Sequence, residues 1–154
     1  MNSFHFQEGS SELLVSCDNL WDLFVSNQTK NAGDMAEGVE EYIRSLQSDG
    51  LSQKVKDGKI YVQLVSVNGE EEPVGFCITS ITKEKVGEVE VLFVIEHYQG
   101  NKLGGQLFEN ALAWMEKEGA IEQKLVVSVG NEKVFNFYAQ YGFGLGYSTL
   151  FRST

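Results

Sequence analysis

Residues 88–119 constrain the fold of this chain more tightly than any other stretch. A continuous apolar run, Val91 to Ile95, lies inside EVEVLFVIE and is followed at once by HYQGNKLGGQ, with Gly100, Gly104 and Gly105. Leu103, Leu107, Phe108, Ala111, Leu112 and Met115 then recur at steps of three to four. The run reads as a strand buried on both faces, hence central in its sheet. The stepped residues form the apolar stripe of a helix that ends near Gly119. A strand that enters a helix in this way feeds a crossover. The strand after the helix, KLVVSV, is therefore expected to pair parallel with the first.

The other elements follow from pattern. FHF near residue 4 reads as a short first strand. CDNLWDLFVSN places Leu20, Trp21, Phe24 and Val25 at helical spacing, with Asp18 as the expected cap. AGDMAEGVEEYIRSLQSDG reads as a second helix with Met35, Val39, Tyr42, Ile43 and Leu46 on one stripe and Gly50 as its stop. KIYVQLVSV and PVGFCITSIT are strands joined as a hairpin across NGEEE. NEKVFNFYAQYGF reads as a helix capped by Asn131 and stopped by Gly142, and GYSTLFRS as a last strand. The expected fold class is α/β in the α+β sense. A mixed, largely antiparallel central sheet is flanked by helices, with a β-α-β-α-β C-terminal half, in one domain over residues 1–154.

Composition excludes several functions. Twelve basic against 22 acidic side chains give a net charge of −10, which argues against a nucleic-acid partner and suits a cationic one such as an amine. No apolar run reaches the roughly 18 residues of a membrane helix. MNSFHFQEGSSELL lacks the basic and apolar regions of a secretory signal. Cys17 and Cys77 have no metal or redox spacing, and His5 and His97 are too few and too far apart for a histidine-built metal site. A cytoplasmic protein with buried free thiols and no metal is the expectation.

The glycine turn has a chemistry of its own. The first N–H groups of a helix lack intrahelical partners and carry the positive end of its dipole. Gly100, Gly104 and Gly105 let a ligand approach that backbone, as a diphosphate cradle requires. The string GxxxxGK[ST] of a P-loop is absent, and the glycine spacing and late strand fail the dinucleotide fingerprint.

LFVIEHYQGNKLGGQLFENAL resembles the acyl-CoA-binding motif of the GNAT superfamily of N-acetyltransferases, Q/R-x-x-G-x-G/A, with Val94, Tyr98, Gln99, Gly100, Leu103, Gly104 and Leu107 in place. NEKVFNFYAQYGF resembles the family's second signature at Asn131, Phe137, Tyr138, Gly142 and Phe143. Two departures stand out: Lys102 occupies a glycine position, and Val134 an alanine position. A lysine can make the turn only if its backbone torsions are allowed for a residue with a Cβ, and its ammonium would suit a CoA phosphate.

The resemblance implies an acetyl-CoA-dependent N-acetyltransferase acting on a primary amine of a small molecule or a protein, by direct attack on the thioester. It assigns main-chain groups of Phe93 and Val94 to the acetyl carbonyl and pantetheine arm. It assigns Gln99, Gly100, Asn101, Lys102, Leu103, Gly104 and Gly105 to the diphosphate and Asn131 to the pantetheine arm, with Asn131 also a helix cap. Tyr138 is the implied general acid, two helical turns from Asn131 and on the same face. Glu90 is the implied base; Glu88 lies on the same strand face, and Glu96 and His97 at the strand's exit. Family members are often dimers, so the resemblance allows a homodimer, but no feature of the sequence fixes the oligomeric state. The alternative is a non-catalytic GNAT-like module for acyl-CoA binding or interaction. Lys102 motivates it; Asn131 and Tyr138 argue against it.

Overall fold

The computed structural model describes residues 3–47, 49–150 and 152. Five strands form one sheet in chain order: β1 (Phe4–Gly9), β2 (Lys59–Val67), β3 (Pro73–Ile81), β4 (Val86–Val94) and β5 (Glu122–Leu125). The first three neighbour pairs are antiparallel, and β4 and β5 are parallel. The crossover between them is α4 (Leu103–Lys117). It ends as Gly119 predicts: Gly119 has φ +83°, the Ala120 N–H donates to the Met115 carbonyl at 3.0 Å, and the Gly119 N–H to that of Glu116 at 3.0 Å.

Each face of the sheet has its own helices and core. On one face α1 (Asp18–Thr29), α2 (Ala36–Ser45) and α3 (Asp49–Lys54) pack over Leu64, Phe76, Ile78, Val91 and Phe93. Trp21 and Phe24 meet Phe76 there, with ring centroids 5.7 and 6.0 Å away. On the other face α4 and α5 (Phe135–Ala139) pack over Val65, Cys77, Val89 and Val94. Gln63 of β2 is buried between sheet and α4, and it is satisfied at both ends of its amide. Its Nε2 donates to the Leu107 carbonyl, and its Oε1 accepts from Asn110 Nδ2, both at 3.0 Å.

Several expectations are corrected. Asp18 is the first residue of α1, not its cap; Cys17 holds the cap position without a side-chain bond, and Asp18 accepts from Gln47 Nε2 at 3.3 Å. The second helix breaks into a 3-10 turn (Gly33–Met35), α2 and α3. Gly50 therefore lies inside α3 and stops nothing. A Cβ there would collide with the Ser45 carbonyl, so close packing of α3 on the end of α2 is what asks for glycine. The last helix is short, a 3-10 turn (Glu132–Val134) followed by α5, although Gly142 does stop it with φ +88°.

Strand β5 ends at Leu125, four residues short of the expected Val129, because β4 bends away from it. The expected last strand over GYSTLFRS is not formed: Gly146–Leu150 make no ladder, and Tyr147 and Leu150 stand exposed. Phe151 and Ser153 of that stretch lie outside the described residues.

Phe108 of α4 anchors the C-terminal helix. It is fully buried, and its ring meets those of Phe137, Tyr138, Tyr141 and Phe143 at 4.9–5.7 Å. Phe108→Ala is expected to lower the unfolding free energy by about 3–5 kcal/mol in urea titrations. An effect under about 1 kcal/mol would mean that α5 is held by something else.

Candidate active site

The site begins with one extra residue in β4. Val91 pairs with Ile78 and Val89 with Thr79, so Glu90 bulges out of the β3–β4 ladder. The β4–β5 ladder runs from Val86↔Glu122 to Val89↔Leu125 and stops at that same point. Beyond it the two strands part. The wedge between them holds a cavity of about 240 Å³, lined by β4 from Val89 to Val94, by Leu125–Val127, and by Asn131 and Tyr138.

Strand register decides which main-chain groups face this wedge. The Ile95 N–H donates to the Val74 carbonyl at 2.8 Å, which makes Ile95, and with it Phe93, members of hydrogen-bonded pairs with β3. Leu92 and Val94 turn their main-chain groups the other way. The Val94 carbonyl accepts from Gln99 Nε2 at 2.9 Å, so Gln99 ties the end of β4 to the glycine turn. The main-chain role expected of Phe93 is thus corrected: its N–H and carbonyl face Phe76 on β3. Leu92 and the Val94 N–H form the open edge instead.

The glycine turn follows a 3-10 turn (Glu96–Tyr98). Gly100 has φ +92°, and Asn101 Nδ2 donates to the Tyr98 carbonyl at 2.9 Å. Lys102 occupies the cap position of α4 in the left-handed region, at φ 62°, ψ 18°. Leu103 is buried and opens the helix. The first main-chain bond of the helix is Gln106 N–H to the Lys102 carbonyl, at 3.1 Å. Among the described residues, no protein acceptor receives the N–H groups of residues 100–105. A Cβ on Gly104 would meet no atom within 4 Å, and its φ is not positive, so neither packing nor torsion calls for glycine there. Open space over a row of free N–H groups at the positive end of a 15-residue helix fits a diphosphate.

Asn131 and Tyr138 line the wedge, and Glu90 borders it on β4 with its carboxylate turned to the face of the sheet that carries α1–α3. The Glu90 side chain is fully buried, with Ser80 Oγ donating to one carboxylate oxygen and Lys54 Nζ to the other, each at 2.7 Å. Burial, and then the neighbouring Glu88, push the Glu90 carboxyl above its ordinary range, while Lys54 and Ser80 oppose the rise. Tyr138 lines it from α5, and burial pushes its hydroxyl up to about 12. Asn131 is buried, and its Nδ2 donates to the Gln28 carbonyl of α1 at 3.1 Å. The expected Asn131 cap is corrected, because it stands at the cap position but makes no side-chain cap bond.

Sequence reasoning therefore placed Glu90, Val94, Gln99, Asn131 and Tyr138 around one cavity, with residues 100–105 beyond Gln99 at the start of α4. It missed Lys54, Ser80 and Gln28. Lys54 sits on a helix that the pattern did not reveal, and Ser80 and Gln28 carry no motif. A wider cleft of about 530 Å³ lies between Gly9–Ser11, Val55–Tyr61 and Trp114. It contains none of the predicted site residues.

The sequence profile of the Acetyltransferase (GNAT) family matches residues 19–143, which span the wedge, the glycine turn and Tyr138. The chain belongs to the GNAT acetyltransferase family. An uncharacterized N-acetyltransferase of Archaeoglobus fulgidus is 31% identical over 114 residues, covering 66% of this chain and 74% of that relative. The PaiA N-acetyltransferase of Thermoplasma acidophilum, solved in complex with coenzyme A, superposes with a TM-score of 0.68 at 22% identity, over 96% of this chain and 93% of that one. The aminoglycoside N-acetyltransferase AAC(6')-Iy, solved with CoA, superposes with a TM-score of 0.62 at 15% identity, over 100% and 96% of the two chains. A GNAT acetyltransferase uses acetyl-CoA as co-substrate, and the free amides at the start of α4 fit its diphosphate.

Lys102 shows how this member departs from the family pattern. Its left-handed torsions are those for which glycine is the unstrained residue. Lys102→Gly is expected to raise the unfolding free energy by about 1 kcal/mol in chemical denaturation. An unchanged or lowered value would show that the lysine side chain offsets the backbone strain.

Proposed function

We propose that this N-acetyltransferase moves the acetyl group of acetyl-CoA to a primary amine of a small molecule or peptide, with Glu90 as base and Tyr138 as acid. The observation that carries this reading is that Glu90 of β4 and Tyr138 of α5 border the same wedge. Bound acetyl-CoA supplies an activated thioester. The N–H groups of residues 100–105 bind its diphosphate, with the Lys102 ammonium close enough in sequence to add a point charge. Asn131 and the open main-chain edge at Leu92 and the Val94 N–H hold the pantetheine arm.

Glu90 takes a proton from the acceptor's ammonium and so frees the lone pair that attacks the carbonyl. A carboxyl raised above its ordinary range is a better base near neutral pH than a solvated glutamate. Tyr138 keeps its proton far above neutral pH and can give it to the departing sulfur. One amide bond forms and one thioester bond breaks; of the two protons the ammonium loses, the one Glu90 takes is released to solvent, and the one that leaves the nitrogen after attack replaces the proton Tyr138 gives to the sulfur.

The net charge of −10 favours a cationic acceptor. The two structural relatives acting on amines are consistent with that chemistry, and one of them is named for aminoglycosides. Cys17 and Cys77 are buried free thiols, which suits a reducing, cytoplasmic setting. The non-catalytic alternative rested on Lys102. That residue keeps the turn in the left-handed conformation a glycine would adopt, and α4 starts normally behind it.

A thiol-release assay across a panel of primary amines tests the proposal. Wild type is expected to release CoA with at least one amine, and Tyr138→Phe and Glu90→Gln each to lower kcat by about 100-fold or more with acetyl-CoA affinity kept. Full turnover by Tyr138→Phe would remove it as the acid.

A further inference from the structure

Lys54 makes the closest charged contacts in the interior, and the reaction as written does not use it. Its Nζ lies 2.7 Å from Glu90 Oε1 and 3.2 Å from Glu88 Oε1. The Glu90 side chain is fully buried and that of Glu88 is 7% exposed, while Lys54 itself is about one-third exposed. Ser80 of β3 donates to the remaining Glu90 oxygen. Lys124 of β5 stands 4.0 Å from Glu88, and Tyr42 of α2 lies close enough to feel all three charges. No other titratable group among the described residues faces Glu90 closely enough to bear on its ionisation.

Two carboxylates this close, with apolar residues around them, do not both stay ionised without a cation between them. Lys54 is that cation. It approaches from α3, outside the wedge, and does not line the cavity that Glu90 shares with Tyr138.

We propose that Lys54 is the positioning residue of the acceptor half of the site: by bridging Glu88 and Glu90 it holds Glu90 ionised at the border of the wedge, ready for the proton of an incoming ammonium. This rests on the reading of Glu90 as base. Without Lys54 the two carboxylates share a proton. Burial and Glu88 then raise Glu90 with less opposition, and the base form is reached only at higher pH.

The test compares pH profiles of kcat/KM for wild type, Lys54→Met and Lys54→Arg, with acetyl-CoA binding followed by calorimetry. Lys54→Met is expected to move the acid limb up by about one pH unit or more, lowering kcat/KM near neutrality by about tenfold, with recovery at higher pH. Lys54→Arg is expected to keep the wild-type limb, and acetyl-CoA affinity to stay the same in all three. An unshifted limb in Lys54→Met overturns the proposal.

Infrared difference spectra read the same point without turnover. Lys54→Met, or Lys54→Gln should the methionine variant not fold, is expected to show a protonated carboxyl band at neutral pH. Adding Glu90→Gln is expected to remove that band. A band that is absent, or that survives Glu90→Gln, contradicts the role assigned to Lys54. An idle wild-type enzyme across the amine panel, with the band present, would instead count against Glu90 as base and leave the pairing standing.

Discussion

The bulge at Glu90 is the constraint on which the rest of the site depends. A parallel pair would otherwise continue along β4 and β5, and apolar residues from Val126 to Val129 would complete the ladder. One extra residue in β4 bends that strand away after Val89↔Leu125. The divergence frees the main-chain edge at Leu92 and the Val94 N–H and opens the wedge. It also sets Glu90 where it both borders the cavity and meets Lys54. A buried carboxylate is costly, and this one is tolerated because Ser80 and Lys54 satisfy both oxygens.

The second support is the start of α4. Its apolar stripe seats the helix on the sheet through Leu103, Leu107, Phe108, Ala111 and Met115, all buried. That packing fixes the direction in which the free N–H groups point. Phe108 carries the constraint further, since the rings around it belong to the segment bearing Tyr138. The start of α4 and the segment bearing Tyr138 are thus both positioned by the buried face of the same helix. Lys102 shows that the turn tolerates a strained residue when the helix behind it is well packed.

Much of this was legible in the sequence. Strong periodicity gave β2, β3, β4 and α4, since each has a long pattern and a clear stop. The parallel crossover followed from a strand, a turn and a helix in that order. The two family signatures brought Val94, Gln99, Asn131 and Tyr138 to one cavity, and Glu90 followed from its place on the strand before Val94. What was not legible depends on tertiary geometry. A bulge has no local signature in EVEVLFVIE, so the early end of β5 and the turn of Phe93 toward β3 could not be foreseen. The break between α2 and α3 hides in a continuous apolar stripe, and with it the position of Lys54. Asn131 reads as a cap by residue type, yet its amide is used across the fold on Gln28. GYSTLFRS has strand-like residues, but their propensity finds no paired edge to join.

Amide hydrogen exchange with and without saturating acetyl-CoA tests the central claim most directly. If the parted strands and the start of α4 form the cofactor site, exchange slows at Leu92, Val94 and residues 99–105. The cleft beside Tyr61 and Trp114 is unaffected. Protection confined to that cleft, or no change at residues 99–105 under saturation, would contradict the account.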